Sequence, residues 1–322
     1  MPLIQITNTY TGPVLDLVES CVPVGFTIRT LPENTEAALL ALVPDADYIL
    51  ASGQVRIGPE VLAAAKRLKM IQRTGVGLDS LDLDAIRAAG IPLYVNKGVN
   101  ARSVAEHAVL LILACLRRLT LLDRNTKDGI WRKQAQGITT FELAGKTVGL
   151  IGLGSIGRIA ASLLRPFGAD LIYYDMYRPD PAVEAELGLT YLEREEVLRR
   201  ADILSLHCPL TEETRDLIRA ETLAMMKDGA VIVNTARGGL IREPDLLAAL
   251  ESGKIAFAGL DVHAAEPIPA GDPLTASGRV IATPHVGGVT YDAFRRMMEE
   301  AMGNMARFEA GDLDAIRPSR YL

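Results

Sequence analysis

Three glycines, Gly152, Gly154 and Gly157, stand at G-x-G-x-x-G spacing near the middle of the chain. They directly follow an apolar run at 147–151 that has the length of a buried strand, and an apolar helical pattern at 156–167 comes after them. In that setting the first glycine permits a tight turn, the second lets the backbone approach a pyrophosphate, and the third allows close packing of helix on strand. The start of the helix adds free N–H groups and partial positive charge. The spacing predicts a dinucleotide site in a parallel α/β sheet.

Short apolar runs alternate with helical patterns along the whole chain. Before the glycines, strands are predicted at 3–6, 48–50, 70–72 and 92–95, with helices at 35–42, 59–68 and 79–89. From residue 147 onward, six strands are predicted at 147–152, 171–174, 203–207, 230–234, 256–260 and 280–283, and a last helix at 291–309. This alternation is typical of parallel sheets with crossover helices. The length of 322 residues fits about two domains, and six strands suit one complete doubly wound sheet.

The strand predicted at 171–174 ends in Asp175, eighteen residues after Gly157. A carboxylate at this place accepts hydrogen bonds from the adenosine ribose and repels a 2′-phosphate, so NAD is expected as the cofactor rather than NADP. Arg178, close behind it, weakens that preference because a guanidinium is what a 2′-phosphate would bind. The alternative interpretation is that Asp175 only caps a turn at the strand end.

A nicotinamide enzyme that oxidises an alcohol needs a base for the hydroxyl proton, and histidine suits that task near neutral pH. The chain has four histidines. His107 lies within an apolar helix predicted at 103–120 and is interpreted as a packed or interface residue. His207 ends a predicted strand on the cofactor side, where a backbone contact to NAD is as reasonable as chemistry. His263 lies in a loop without an evident partner.

His285 is the strongest candidate for the base. It follows a predicted strand and precedes two glycines, on a loop at the carboxyl edge of the sheet, where open α/β sheets bind their ligands. Glu266, in the preceding loop, could hold the imidazole through a carboxylate hydrogen bond. Arg237 follows another strand end, and its guanidinium could grip a substrate carboxylate bidentately. Each residue alone is more often a solvated loop side chain, but together they supply an anion clamp, an acid and a base.

Composition excludes several other classes of protein. The 34 Lys and Arg against 40 Asp and Glu give a net charge of −6, which argues against a nucleic-acid partner. Three distant cysteines, Cys21, Cys115 and Cys208, predict neither a disulfide framework nor a cysteine metal site, and they favour a reducing, cytoplasmic location. The most apolar stretch, 108–116, is far shorter than the roughly 20 residues that span a bilayer, and the pattern of residues 1–10 leads us to expect no targeting segment.

Motifs spread nearly from end to end resemble those of the D-isomer-specific 2-hydroxyacid dehydrogenases. They are Arg73-Thr-Gly-Val-Gly-Leu-Asp79, Ser103-Val-Ala-Glu-His107, the 152–157 loop, His207-Cys-Pro-Leu-Thr211, Asn234-Thr-Ala-Arg-Gly-Gly239, Gly259-Leu-Asp-Val262 and Thr283-Pro-His-Val-Gly-Gly288. The resemblance implies that Arg237 binds substrate, Glu266 orients and tunes the base, and His285 accepts the proton. It also implies that backbone N–H groups of Val76 and Gly77 hold the substrate carboxylate.

The same resemblance implies a set of cofactor contacts at strand ends in the second half of the chain. Beside the three glycines of the 152–157 loop, the set comprises Ser155, Ile156, Asp175, His207, Cys208, Pro209, Thr235, Ala236, Asp261, Gly287 and Gly288. The expected cofactor is NAD or NADH, and no metal is expected in the site.

An architecture follows from the resemblance as well. A doubly wound, Rossmann-type NAD domain at 100–289 is expected to be inserted into a smaller flavodoxin-like α/β substrate domain built from 1–99 and 290–322. Closure of the smaller domain over NAD would exclude water from the reacting carbon. A homodimer joined through the 103–120 helix region is also implied. Because the last motif ends at Gly288, no appended regulatory domain is expected.

The substrate stays open between two kinds of small anionic acid. Phosphoglycerate dehydrogenases of the family have an arginine before the position of Ser52, where this chain has Ala51. Arg56 and Arg73 could compensate, so a short type of D-3-phosphoglycerate dehydrogenase remains an alternative. Reduction of glyoxylate, hydroxypyruvate or another small 2-keto acid is at least as well supported. Formate oxidation is disfavoured, since it releases no proton for an acid–base pair to move.

Two alternatives belong to other classes. A NAD-sensing, corepressor-like binding protein would share this fold and even these residues, but would show a partner-binding surface and negligible turnover. A catalytically silent paralogue would have lost at least one of Arg237, Glu266 and His285, and all three are present.

Overall fold

The computed structural model describes residues 1–75 and 77–322. Its strands are β1 (Leu3–Ile6), β2 (Thr27–Arg29), β3 (Tyr48–Ala51), β4 (Met70–Arg73), β5 (Leu93–Val95), β6 (Thr147–Ile151), β7 (Asp170–Tyr174), β8 (Leu189–Tyr191), β9 (Ile203–Leu206), β10 (Ala230–Asn234), β11 (Ile255–Leu260) and β12 (Val280–Ala282). Its α-helices are α1 (Gly12–Ser20), α2 (Glu36–Leu42), α3 (Pro59–Ala64), α4 (Leu83–Ala88), α5 (Ala101–Arg117), α6 (Leu119–Lys127), α7 (Ser155–Leu164), α8 (Pro181–Leu187), α9 (Arg194–Arg200), α10 (Ala220–Met225), α11 (Glu243–Ser252), α12 (Tyr291–Glu309) and α13 (Leu313–Ile316).

The chain divides into two compact units. We name them the terminal unit, which is Met1–Asn100 together with Val289–Leu322, and the inserted unit, which is Ala101–Gly288. Each has its own parallel sheet, and the chain enters the inserted unit once and leaves it once. These features confirm the predicted α/β class and the insertion of one domain into the other.

The sheet of the terminal unit has the strand order β2-β1-β3-β4-β5, which is the flavodoxin-like order. All four residues of β3 are buried, because helices cover both faces of a parallel sheet. The returning chain covers one face with α12, where Met298, Met302 and Met305 share a buried apolar cluster with Ile4 of β1. The Thr290 hydroxyl accepts a hydrogen bond from the Ala293 nitrogen and so begins this helix where the sequence predicts it.

The sheet of the inserted unit has the order β12-β11-β10-β9-β6-β7-β8. The chain order reverses between β6 and β9, and such a switch point is where open α/β sheets bind ligands, beyond the carboxyl ends of the strands. Gly149 in β6 leaves room for α9, since a Cβ there would lie 2.7 Å from Val197 Cγ1. The close approach of helix and strand buries the apolar core on that face.

The helix predicted at 103–120 is two helices. Arg118 adopts the left-handed conformation (φ 51), which ends α5 at Arg117 and starts α6 at Leu119. The apolar pattern continues across this break, and therefore the pattern alone could not locate it. Among the described residues, no helix combines the length and the apolar character that crossing a bilayer requires.

Short or exposed elements escaped the sequence prediction. The six strands expected in the inserted unit leave out β8, a three-residue edge strand in which Leu189 is the buried position. In the terminal unit α1 and β2 were not expected, and α1 buries only Val18. The helix predicted at 79–89 begins at Leu83, because the Asp82 carboxylate accepts a hydrogen bond from the Ala85 nitrogen (3.0 Å) and caps it there.

Candidate active site

The loop between β6 and α7 carries Gly152 and Gly154, Gly157 lies in the first turn of α7, and the loop packs against the residues that follow β9. Gly152 has a left-handed backbone (φ 99), and a Cβ on it would lie 2.7 Å from the Cys208 nitrogen. A Cβ on Gly157 would lie 2.3 Å from the Gly152 oxygen. A Cβ on Gly154 would meet no atom of the described residues within 4 Å, so the backbone there is open to a ligand. The loop and the start of α7 have the shape that a pyrophosphate needs.

Asp175 follows β7 and is bound to the glycine loop. Its Oδ2 accepts a hydrogen bond from the Leu153 nitrogen (2.5 Å), and its Oδ1 accepts one from the Tyr177 nitrogen (2.8 Å). The carboxylate thus closes the turn after β7, as the alternative interpretation expected, and also fastens that turn to the glycine loop. It lies at the strand end where dinucleotide folds bind the adenosine ribose, and the ribose contact stays a prediction.

The carboxyl ends of β9 and β10, which are neighbours in the sheet, hold buried polar atoms that have no partner among the described residues. They are Nδ1 of His207 and Oγ1 of Thr235, and both residues belong to the predicted cofactor contacts. A buried polar atom without a hydrogen bond costs about 1–3 kcal/mol, so such atoms indicate a ligand that completes the bonding. Together with the open glycine backbone, they fit a bound dinucleotide at this edge.

His207 and Cys208 are poorly suited to proton transfer. Burial lowers the pKa of His207 to about 4, and its Nε2 lies 3.0 Å from Ser205 Oγ. Burial also raises the pKa of the Cys208 thiol to about 11. Near neutral pH the imidazole and the thiol are both uncharged, which suits packing beside a cofactor rather than acid–base chemistry.

Asp261, directly after β11, holds the loop that follows β12. Its Oδ1 accepts hydrogen bonds from Thr283 Oγ1 (2.6 Å) and the Val286 nitrogen (2.9 Å), and its Oδ2 accepts one from the Gly287 nitrogen (2.8 Å). Its backbone oxygen accepts one from the His285 nitrogen (2.8 Å). Burial raises the pKa of this carboxyl, but the hydrogen bonds it accepts outweigh that effect, and the pKa lies below its ordinary value. Asp261 is an ionised anchor for the loop.

His285 and Glu266 form a hydrogen-bonded pair. His285 Nδ1 lies 2.8 Å from Glu266 Oε2, and Glu266 Oε1 accepts a hydrogen bond from the His263 nitrogen (3.0 Å). Because a carboxylate only accepts, Nδ1 carries the proton in this pair. The backbone of His285 is left-handed (φ 55), a strained conformation that the bonds to Asp261 maintain. The two side chains are 48% and 38% exposed, so they are accessible to a ligand.

Arg237 is placed by the loop that follows β10. The Asn234 side chain accepts a hydrogen bond from the Ala236 nitrogen (3.0 Å) and donates one to the Arg237 oxygen (2.9 Å), and Arg237 Nη1 donates to the Ala236 oxygen (2.7 Å). The next residue, Gly238, packs so tightly that a Cβ would lie 2.0 Å from the His263 carbonyl carbon. Since the residues from His263 to Glu266 hold His285, the loops after β10, β11 and β12 form one connected cluster.

The structure corrects the interpretation of His263 and extends that of His107. His263, for which no partner was expected, places its Nε2 3.3 Å from the Thr283 oxygen and donates its backbone N–H to Glu266. His107 Nε2 lies 3.0 Å from Thr283 Oγ1. That hydroxyl already donates to Asp261, so His107 Nε2 is the donor. The Ser103-to-His107 motif was the only sequence signal that pointed to His107, and it did not predict this hydrogen bond to Thr283.

The remaining predicted residues occupy loops and a helix start. Those of the inserted unit lie at its carboxyl edge and are Ser155, Ile156, Pro209, Ala236 and Gly288. In the terminal unit the Gly77 oxygen accepts a hydrogen bond from Arg73 Nε (2.7 Å), and Val76 lies outside the described residues. Within residues 1–75 and 77–322, no three His, Cys, Asp or Glu side chains are grouped as metal ligands would be.

Comparison with known proteins places the chain in a family. The sequence profile described as D-isomer specific 2-hydroxyacid dehydrogenase, NAD binding domain, matches residues 109–287. The chain is 44% identical over 287 residues to D-3-phosphoglycerate dehydrogenase of Mycobacterium leprae, an alignment that covers 88% of this chain and 53% of that protein. It is 40% identical over 262 residues to hydroxypyruvate reductase of Thermotoga maritima, with 80% and 83% covered.

A solved structure agrees with these relatives. The TT0316 protein from Thermus thermophilus superposes with a TM-score of 0.86 at 35% identity, covering 96% of this chain and 97% of that one. The chain spans about half the length of the mycobacterial relatives. The matched profile covers more than half of this chain and includes Asp175, Arg237, Glu266 and His285. This chain belongs to the D-isomer specific 2-hydroxyacid dehydrogenase family.

Proposed function

We propose that this protein is a NAD-dependent dehydrogenase that interconverts a D-2-hydroxy acid and the corresponding 2-keto acid. The observation that carries the proposal is the 2.8 Å pair of His285 Nδ1 and Glu266 Oε2, at the same carboxyl edge as the glycine loop. A nicotinamide bound there supplies hydride transfer at the carbon that bears the hydroxyl. The protein has to bind and orient the acid and move one proton.

The proton is the task of His285. Because Nδ1 donates to Glu266, the nitrogen left to exchange a proton with the substrate is Nε2. In the oxidative direction Nε2 takes the hydroxyl proton, and in the reductive direction the imidazolium returns it to the carbonyl oxygen. The Glu266 carboxylate fixes the tautomer and stabilises the imidazolium, as the carboxylate does in other His–carboxylate pairs.

Arg237 binds the acid. A guanidinium offers donors in a planar fork that matches a carboxylate or a carboxylate with its neighbouring carbonyl oxygen. The hydrogen bond from Nη1 to the Ala236 oxygen limits the rotation of the side chain. We assign the remaining carboxylate contacts to the backbone N–H groups of Val76 and Gly77, on the family resemblance. Asp175 at the end of β7 supports NAD over NADP.

The substrate we favour is a small 2-keto acid without a phosphate, such as glyoxylate or hydroxypyruvate. Arg56 and Arg73 could replace the phosphate-binding arginine that is absent at Ala51, but both have other partners. Arg73 Nη1 donates to the Ala51 oxygen (3.0 Å), and Arg56 Nη2 lies 3.6 Å from Asp82 Oδ2. Arg73 thereby braces the loop that leads to Gly77. D-3-phosphoglycerate is the second candidate, because relatives at 43–44% identity have the name of that dehydrogenase.

A substrate screen tests this proposal. NADH oxidation is measured with glyoxylate, hydroxypyruvate, pyruvate and longer branched 2-keto acids, and NAD reduction with D-3-phosphoglycerate, with the His285→Ala variant beside each assay. We expect turnover with a small 2-keto acid that the variant lacks. If the protein binds NADH but turns over none of these acids, the dehydrogenase proposal is wrong, and the result favours a NAD-sensing, corepressor-like binding protein.

We also propose a homodimer that forms through the region of α5 and α6 and the segment after them. Large apolar side chains are exposed there, including Leu110 (52%), Trp131 (79%) and Ile138 (86%). Such a set of exposed apolar groups is typical of an interface. Light scattering after size exclusion should give the mass of two chains, and Leu110→Arg with Ile138→Arg should give one. A wild-type monomer would contradict the proposal.

A further inference from the structure

Arg178, three residues after Asp175, is bound by a carboxylate and packs against an aromatic ring. Its Nε and Nη2 donate to the two oxygens of Glu184, at 2.7 and 2.9 Å. The guanidinium carbon lies 4.9 Å from the centre of the Tyr191 ring. The Tyr173 hydroxyl donates to Glu184 as well. The Glu184 carboxylate and the Tyr191 ring therefore fix the position of the Arg178 guanidinium. From the sequence alone, the effect of Arg178 on the choice between NAD and NADP was open.

We propose that Glu184 determines the preference for NAD by holding Arg178 away from the position of a 2′-phosphate. The proposal rests on the dinucleotide site of the proposed function and deepens it. In dinucleotide folds the 2′-phosphate of NADP is accommodated by an arginine near the end of the second strand, and β7 is that strand here. Arg178 is the arginine in the turn after β7, three residues beyond Asp175.

The surroundings of Glu184 stabilise its ion pair with Arg178. It lies on α8, its side chain is 12% exposed, and it receives donors from both Arg178 and Tyr173. Hydrogen bonds from Arg178 and then from Tyr173 lower the pKa of Glu184 to about 2, so the carboxylate is ionised throughout the physiological range. A bidentate pair of this kind uses the same two donors that a phosphate would need.

NADPH meets two obstacles in this arrangement. The Asp175 carboxylate repels the 2′-phosphate, and the cation that could offset the repulsion is already neutralised by Glu184. Removing Asp175 alone leaves Arg178 bound, and removing Glu184 alone leaves the repulsion in place. The two substitutions should therefore act together far more strongly than the sum of their separate effects.

A double-mutant cycle measures this coupling by binding, without turnover. The variants are Asp175→Ser, Glu184→Gln and the double variant, and the dissociation constants of NADPH, NADH and 2′-AMP are determined by fluorescence or calorimetric titration. Glutamine keeps an acceptor for Tyr173 while removing the charge. We expect each single variant to gain about threefold or less in NADPH affinity, and the double variant to gain about 30-fold or more, the range of one charged hydrogen-bonded pair.

Two controls keep the outcome specific to Arg178. Adding Arg178→Ala to the double variant should remove the gain, and Glu196→Gln, which breaks the surface pair with Arg199 (2.9 Å) on the same unit, should change nothing. Additive single effects, or a gain that survives Arg178→Ala, would overturn the inference. If the wild-type protein does not bind NADH, the dinucleotide site of the proposed function is wrong. That result differs from additive effects on NADPH affinity, which contradict only the role of Glu184.

Discussion

The loops after β9 and β12 each place a histidine at the carboxyl edge of the same sheet, yet they give it opposite properties. His207 is half-buried, burial lowers its pKa to about 4, and its Nδ1 has no partner among the described residues. His285 is half exposed, paired with Glu266 and held in a left-handed conformation. The sheet topology therefore brings both histidines to the edge where a ligand would bind. The burial and hydrogen-bond partners of each imidazole determine whether it is suited to proton transfer.

The difference arises from what each loop packs against. The loop after β9 lies on the glycine turn, where a Cβ on Gly152 would lie 2.7 Å from the His207 carbonyl carbon, and the His207 side chain is half-buried there. The β12 loop is held from below by Asp261, whose carboxylate binds Val286 and Gly287 and leaves the His285 side chain outside. Close backbone packing therefore fixes the loop of His207, whereas a buried carboxylate fixes the loop of His285 and leaves its side chain exposed.

The largest effect is expected from His285→Ala. Removal of the acid–base group should lower kcat by about 10²–10⁴-fold, because the proton would have no positioned acceptor. Binding of NADH, followed by fluorescence titration, should change little. Turnover within a factor of two of the wild type would end the assignment of His285 and remove the contrast with His207.

Asp261→Asn should have the next largest effect. The amide keeps one acceptor but presents N–H to backbone donors, so at least one of the bonds from Val286 and Gly287 is lost. We expect the free energy of unfolding to fall by about 1–3 kcal/mol in urea titrations, with lower kcat as the His285 loop shifts. Full stability and activity would show that the loop does not depend on this anchor. Glu196→Gln is the surface control, since it breaks only an exposed pair.

The smallest effect is expected from the pH dependence of His207. Its ordinary pKa is 6.5 and its folded value is about 4, so the unfolded chain binds more protons between these values. Stability is then lost as the pH falls from 6.5 toward 4, by about 2 kcal/mol between pH 7 and pH 5. Between pH 7 and pH 5 the free energy of unfolding of the His207→Gln variant should fall by about 2 kcal/mol less than that of the wild type. Parallel unfolding curves of both proteins at the two pH values check it, and equal losses would refute the lowered pKa.

Regular, buried elements were predictable from the sequence because their side chains follow a period. The run at 147–151 and the helix at 291–309 agree with β6 and α12. The break at Arg118 was not predictable, since a single left-handed residue leaves the apolar pattern unchanged. The strand β8 was missed because a three-residue edge strand has too few buried positions to show a period.

The candidate site divides in the same way. Arg237, Glu266 and His285 could be proposed from strand-end loops and motifs, since parallel strands bring their carboxyl ends to one edge. The contacts of His107 and His263 with Thr283, and the grip of Glu184 on Arg178, could not, because each joins residues that are far apart in sequence or separated by a turn of unknown course.

The sequence by itself determined the α/β class, the glycine turn and the residues that could carry the chemistry, because periodicity and local spacing are properties of neighbours along the chain. Only the tertiary structure decided which histidine is partly buried and which is exposed, what holds the His285 loop, and which carboxylate binds Arg178. Burial, hydrogen-bond partners and charge pairing depend on distances between segments, and those distances exist only after the sheets have formed.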